Sequence, residues 1–346
     1  MLAESPVPLP AEEVEAACRA CGAATVARWQ RAARETHWLR HCAACDVART
    51  MPEVPADELS DYYGQQYYGP GSLRFAKPLE RAVAWFRQRR ALGLHRQAGR
   101  PGKVLDIGCG RGWTLTNLRA SGWDVQGVEL SREAAEHARQ ELKLPVATDG
   151  FDAHCYPTGE FDLVIVWHVL KHLPYPLKAL DEIARFLKPG GMLALAAPNL
   201  DGLQARLTRW SWFHLDLPRH RAHFTAAGLR RELAQRGLHA VREEHSALEQ
   251  NVFGWIQSVL NLARLEHNLL YDLLRSRPSR RIRDPWREVP FQSGASLIGL
   301  VGLFAPALVM VAVEAIIGRG GTVDLYAIRQ PADTTERFDT SRSHAR

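Results

Sequence analysis

Apolar residues recur at helical spacing between Lys77 and Gln97, at Leu79, Ala82, Val83, Phe86 and then Leu92 or Leu94, and predict an amphipathic helix. The pattern then changes. Val104 to Ile107 is a short apolar run that reads as a buried strand, Gly108, Gly110 and Gly112 mark a turn, and Thr114 to Ala120 reads as the helix that follows. "DVQGVEL" reads as a second strand ending at Glu129. Toward the C-terminus "GLHAVREEHSA" and "GGTVDLYAIR" read as strands, and "NVFGWIQSVLNLARLEHNLLYDLL" between them predicts an amphipathic, aromatic-bearing helix. Ser296 to Ile317 is an apolar run with one charge in 22 residues.

Composition narrows the class. At 346 residues the chain is long enough for about two domains, and 46% apolar with 24% charged residues is ordinary for a folded globular protein. The start, "MLAESPVPLPAEEVEAACRAC", has acids where a signal peptide carries a basic segment, so a cytoplasmic location is expected. The net charge of +6 fits either nucleic acid or anionic lipid and does not choose between them.

Four of the six cysteines form a pattern: Cys18 and Cys21, then Cys42 and Cys45, with 20 residues between the pairs. Two thiolates on each of two tight turns can grip a tetrahedral zinc, which stabilises a segment too small to hold its own core. Disulfides are the competing reading, and they need an oxidising compartment that no targeting segment supports. Cys109 and Cys155 fall outside the pattern and read as small buried residues. Zinc ribbons often bind nucleic acid, yet no alternation of basic and aromatic residues continues beyond the ribbon, so it reads as structural. The tyrosine-rich "MPEVPADELSDYYGQQYYGPGS" reads as a connector that lies on another domain.

The stretch "GKVLDIGCGRGWTLTNLRASGWDVQGVELS" carries the chemistry. Glycines at 108, 110 and 112 let a ligand press against the backbone. The dinucleotide spacing G-x-G-x-x-G fails, because its third glycine would fall at Trp113. Asp106 at the strand end would repel a pyrophosphate and attract an ammonium and a sulfonium. Glu129, at the tip of the second strand, is placed to accept ribose hydroxyls, although with Ser131 it also reads as a capping group for the next helix.

With "VLDIGCGRG", "GVELS" and "FDLVIVWHVLKHLPYPLKALDEIARFLKPGGMLALAAPN", the chain resembles the class I S-adenosylmethionine-dependent methyltransferases over roughly residues 100 to 200. The resemblance implies a Rossmann-like α/β fold, with a seven-stranded, mostly parallel sheet whose last strand is antiparallel between its neighbours. It assigns Asp106, Gly108, Gly110 and Gly112 to the methionine end of S-adenosylmethionine, Glu129 to the ribose, and the region of Asp149 to Phe151 to the adenine. Trp167 and His168 would face the cofactor, and Lys171 stands where the family commonly has glutamate.

Methyl transfer from a sulfonium is an in-line displacement, so the main demand is to hold a nucleophile about 3 Å from the methyl carbon. A base is needed where the acceptor is protonated. His168 and His172 are expected at i, i+4 on the helix after strand four, and "HLDLPRHRAHFT" adds His220 and His223, with His214 and Asp216, where the family usually covers the acceptor. Each histidine also reads as a residue that merely orders the loop. Asp216, His220 and His223 permit a metal, but the segment resembles the family's lid and not a ligand pattern.

In this fold "GLHAVREEHSA" and "GGTVDLYAIR" are strands six and seven, which pair, so Leu248 to Arg319 is an insertion and a single membrane crossing within it is excluded. A bilayer takes about 20 apolar residues to span, and Pro306 divides Ser296 to Ile317 into halves too short to cross, which predicts a helical hairpin or a shallow monotopic helix pair. The arginines at 275, 277, 280, 281, 283 and 287 suit anionic headgroups. The competing reading is that the apolar run packs internally or forms a dimer contact.

The expected organisation is a zinc ribbon over 1–60, a connector and leading helix over 61–100, a methyltransferase core over 101–247, a helical insertion over 248–319, the last core strand over 320–330 and a disordered tail over 331–346. The expected activity is transfer of a methyl group from S-adenosylmethionine to a lipid-linked or amphiphilic small molecule, of saccharide or isoprenoid type, by an enzyme on the inner face of an anionic membrane. The alternatives are a soluble small-molecule or tRNA methyltransferase and a membrane-bound scaffold without turnover.

Overall fold

The computed structural model describes residues 17–18, 20–23, 28–31, 37–53, 75, 77–148, 156–275 and 284–331. Three short strands, β1 (Arg28–Arg31), β2 (Trp38–His41) and β3 (Val47–Met51), form an antiparallel meander near the N-terminus. A long helix, α1 (Lys77–Ala98), leads into the main sheet.

That sheet is built from β4 (Lys103–Ile107), β5 (Asp124–Val128), β6 (Val146–Ala147), β7 (Phe161–Trp167), β8 (Leu187–Pro198), β10 (Leu238–Glu244) and β11 (Thr322–Arg329). Its order is β10-β11-β8-β7-β4-β5-β6, with β11 antiparallel to both of its neighbours. The expected seven-stranded topology is therefore present. β7, "FDLVIVW", is apolar along most of its length because helices cover both faces of the sheet. On one face Val164, Val166, Leu195 and Leu325 pack with α4 (Pro176–Phe186) and α6 (Ala226–Ala234). On the other, Leu163, Ile165, Met192 and Tyr326 pack with α1, α2 (Trp113–Ala120) and α3 (Arg132–Gln140).

The N-terminal meander is not a separate bead. A short strand from the core, β9 (Ala222–Phe224), pairs with β3 and makes it a four-stranded sheet. Cys18, Cys42 and Cys45 belong to the same buried cluster as Phe224 and Leu229.

The segment between β10 and β11 is helical, with α7 (Leu248–Leu262), α8 (Leu269–Leu274), α9 (Pro285–Glu288) and α10 (Pro290–Ile317); α5 (Leu203–Thr208) lies beneath them. Two expectations need correction. The aromatic-bearing segment is two helices and not one. Arg264 and Asn268 adopt left-handed backbone, and Asn261 exchanges hydrogen bonds with Asn268, which closes the break.

The apolar run is likewise not a hairpin or a helix pair. It is one helix of 28 residues with Pro306 inside it. Proline removes one intrahelical bond, but Leu303 and Met310 on either side of it both pack on the cluster formed by Trp255, Ile256 and Leu260 of α7, which keeps the two halves in line. Pro306 itself borders a small apolar cavity of about 50 Å³ in that seam.

Candidate active site

The turn after β4 is left-handed at Gly108, Gly110 and Gly112, with φ of 73°, 56° and 81°. A Cβ at Gly108 would lie 2.3 Å from a methyl of Val169, so the turn is closed to larger residues. Backbone N–H groups of Gly108 and Cys109 donate to the Val128 carbonyl at 2.7 and 3.1 Å, which pins the turn to the end of β5. The Glu129 carboxylate accepts from Gly110 N–H and Ser131 N–H, both at 2.8 Å. Ser131 in turn caps α3 through Ala134 N–H. Glu129 thus joins the glycine turn to the start of α3, at the tip of the second strand.

Asp106 lies at the same end of the sheet, 4% exposed, and burial pushes its carboxyl up to about 7, against the nearby Arg90 cation and with the help of the Glu129 charge. Arg90 comes from α1. Its guanidinium carbon sits 4.4 Å from the Trp167 ring centroid, and it pairs with Glu249 at the start of α7. Asp324 on β11 is a second buried acid, also pushed up to about 7 by burial, with one oxygen lacking a hydrogen-bond partner.

The histidines separate by geometry. His168 follows β7 with left-handed backbone, φ 58°, and neither buried ring nitrogen has a hydrogen-bond partner among the described residues. Burial, then the Lys171 and Arg90 charges, hold it well below the usual imidazole range. The expected i, i+4 helix is absent, because Leu170–His172 is a single 3₁₀ turn. His172 is tied elsewhere, donating from Nδ1 to the Arg219 carbonyl at 3.2 Å. His220 donates from Nδ1 to the His214 carbonyl at 2.8 Å, and His223 Nε2 meets the Thr50 hydroxyl at 3.0 Å. Burial is the main cause that lowers His172, His214 and His223 to about 3, with Lys171 adding to it, and the same causes hold His220 well below its ordinary value. Asp216 turns to Arg219, 2.6 Å away, and belongs to an ion pair.

The four ribbon cysteines converge. Their sulfurs all lie within 4.8 Å of one another, with Cys18–Cys45 and Cys21–Cys42 at 3.8 Å. A tetrahedral zinc with bonds of about 2.3 Å has S···S edges of about 3.8 Å, so the four residues fit the metal. None of the four is joined in a disulfide.

Asp149 and Phe151, expected near the adenine, lie outside the described residues. Arg90 and Asp324 were missed as site residues. For Asp324 a signal existed: an acid inside a strand flanked on both sides by other strands has to be buried. For Arg90 there was none, since α1 carries other arginines at the same spacing as its solvent face.

The family described as "Methyltransferase domain" matches residues 76–243. A ubiquinone biosynthesis O-methyltransferase of Thiobacillus denitrificans is 36% identical over 106 residues, 28% of this chain and 44% of that protein. An uncharacterized 37.1 kDa protein from a Streptomyces fradiae transposon is 38% identical over 112 residues, 30% of this chain and 32% of that one. The chain spans less than half the length of these relatives. Among solved structures, geranyl diphosphate C-methyltransferase of Streptomyces coelicolor aligns over 80% of this chain and 100% of its own, at 14% identity and a TM-score of 0.48. The glycine turn, the acid that precedes it and the sheet order agree with the family match: residues 76–243 are a methyltransferase domain of the class I S-adenosylmethionine-dependent family.

Proposed function

We propose that the chain moves a methyl group from S-adenosylmethionine to an amphiphilic or lipid-linked small molecule at a membrane surface. The observation that carries the cofactor is Asp106, a buried carboxyl beside a glycine turn, pushed up to about 7 by burial although Arg90 is near. S-adenosylmethionine, when bound, supplies an electrophilic methyl on a cationic sulfonium. Asp106 offset by a cationic ammonium returns to its charged form, and the glycine turn lets the ligand approach the backbone. Glu129, at the tip of β5 beside the glycine turn, is placed to meet the ribose hydroxyls.

His168 is the base in this reading. Of the four candidate histidines it is the one with neither nitrogen bonded among the described residues, and it follows Trp167 at the end of β7, where an imidazole can take a proton from an acceptor hydroxyl. His172, His220 and His223, each bonded to backbone or to Thr50, hold the lid in place.

The acceptor class rests on α10. Among the described residues it is the one helix long and apolar enough to cross a membrane, and 17% of its apolar window is buried. It is apolar on both sides: Ala307 and Val311, with Ser293, Ser296 and Glu314, face the protein, while Phe291, Ile298, Val301 and Ile316 are 75 to 84% exposed. A helix packed lengthwise on α7 with an apolar face outward suits a surface-lying, monotopic contact. In the sequence, arginines at 277, 280, 281, 283 and 287 precede it and suit anionic headgroups, whereas Arg275 is covered, paired with Asp272 and lying over the Tyr271 ring. The O-methyltransferase relatives add support for an oxygen acceptor.

The test is methyl transfer from radiolabelled S-adenosylmethionine into a bacterial lipid extract. Label in the organic phase supports the acceptor class, and label confined to water-soluble products removes it.

A further inference from the structure

We propose that the four-cysteine site positions the acceptor side of the cleft: with metal bound, it holds the wall that carries His168 to His172, and the cofactor half stands without it. The inference rests on the reading of the cleft given above. Both cysteine turns end in a left-handed residue, Gly22 with φ 78° after Cys21 and Asp46 with φ 58° after Cys45. Glycine suffices for the first turn, so the second carries an aspartate for another reason. Its carboxylate accepts from the Thr225 hydroxyl at 2.6 Å and meets His41 Nε2 at 2.7 Å. Thr225 is the N-cap of α6 and immediately follows β9.

The connection continues along β3. This strand pairs with β9, Thr50 N–H donates to the Arg221 carbonyl at 3.0 Å, and the Thr50 hydroxyl donates to the His220 carbonyl. Arg221 N–H donates to the Lys171 carbonyl at 2.9 Å, and Arg49 reaches the Pro174 carbonyl at 2.8 Å. Each of these bonds ends on the segment after β7 or on the strand that braces it. The hydrogen bonds of the glycine turn and Glu129 run elsewhere, to Val128 and Ser131, and the turn meets this segment at the Val169 side chain. Metal in the cysteine site therefore rigidifies the acceptor wall and changes cofactor affinity little.

The test uses the full chain, with zinc content by elemental analysis, cofactor affinity by calorimetry and amide hydrogen exchange. Asp46→Gly suits the left-handed turn and cuts the link to Thr225. We expect it to keep zinc and to bind S-adenosylmethionine within about twofold of wild type, while amides at 169–173 and 222–225 exchange at least about tenfold faster. Asp46→Asn, which tolerates the same backbone and can still accept from Thr225, should restore protection. Removing zinc with a chelator should reproduce the Asp46→Gly pattern. Unchanged exchange in Asp46→Gly or in the stripped protein overturns the proposal, as does a chain that purifies without metal and still protects these amides. Failure of the wild type to bind S-adenosylmethionine would instead remove the reading of the cleft, since the exchange measurements stand without it.

Discussion

The guanidinium of Arg90 lies over the indole of Trp167, its central carbon 4.4 Å from the ring centroid. That contact puts a fixed positive charge in the cleft, close enough to hold down the pKa of Asp106, Asp324 and His168 together. Removing it by Arg90→Ala should make His168 more basic, by up to about one pH unit. The His168 ring titration followed by NMR reads the shift directly, and a midpoint that stays put or falls contradicts the placement of Arg90.

Cofactor affinity should depend on pH through Asp106. Its carboxyl titrates near 7 in the free protein, and a cationic ligand favours the charged form. Binding therefore tightens as pH rises through 7, by up to about tenfold between pH 6 and 7.5. Asp106→Asn should bind about 10- to 100-fold more weakly and lose the pH dependence. Calorimetry at the two pH values checks both.

Turnover and cofactor binding should separate at His168. His168→Ala is expected to lower the methyl-transfer rate by about 100- to 10,000-fold while S-adenosylmethionine affinity changes little. His223→Gln acts through the Thr50 contact and should lower the melting temperature as well as the rate. Equal losses of rate and melting temperature in both variants would leave His168 no special role.

The buried imidazoles also set the response to acid. His168, His172, His214, His220 and His223 all have folded pKa values below 6.5, so between 6.5 and their lowered values the unfolded chain binds more protons than the folded one. Stability is then full above pH 6.5 and falls as pH drops below it. Asp106, Glu314 and Asp324, raised to about 7, oppose this, because they lose stability as pH rises through 4 to 7. Five groups outweigh three, at about 1.4 kcal/mol per pH unit for each unbalanced proton as an upper bound. Urea midpoints at pH 7.5 and 5.5 should show the fall, and His223→Gln should flatten it.

The outward face of α10 predicts a separation of stability from membrane binding. Ile298→Glu with Val301→Glu changes exposed positions, so the unfolding free energy should move by less than about 1 kcal/mol. Flotation with anionic liposomes should fall sharply. A double variant that floats like wild type takes the membrane contact away from this helix.

Much of the fold was legible because its signals are local. The run Val104 to Ile107, the glycines that follow and Glu129 announce a strand, a turn and a second strand within about one supersecondary unit. What the sequence hid depends on contacts distant along the chain. Pro306 reads as a breaker when α10 is considered alone, and the seam with α7 that keeps the helix continuous lies more than 40 residues away in sequence. Ala222–Phe224 is too short to register as a strand, and it forms one because β3 offers it an edge. The four candidate histidines look alike in sequence; their hydrogen-bond partners set His168 apart.

The central claim is that the glycine turn and Glu129 together bind S-adenosylmethionine. Calorimetric titration of the wild-type chain beside Glu129→Ala tests it most directly. One site per chain, weakened at least about tenfold by the substitution, is the result expected; no binding by the wild type, or equal binding by both, contradicts it.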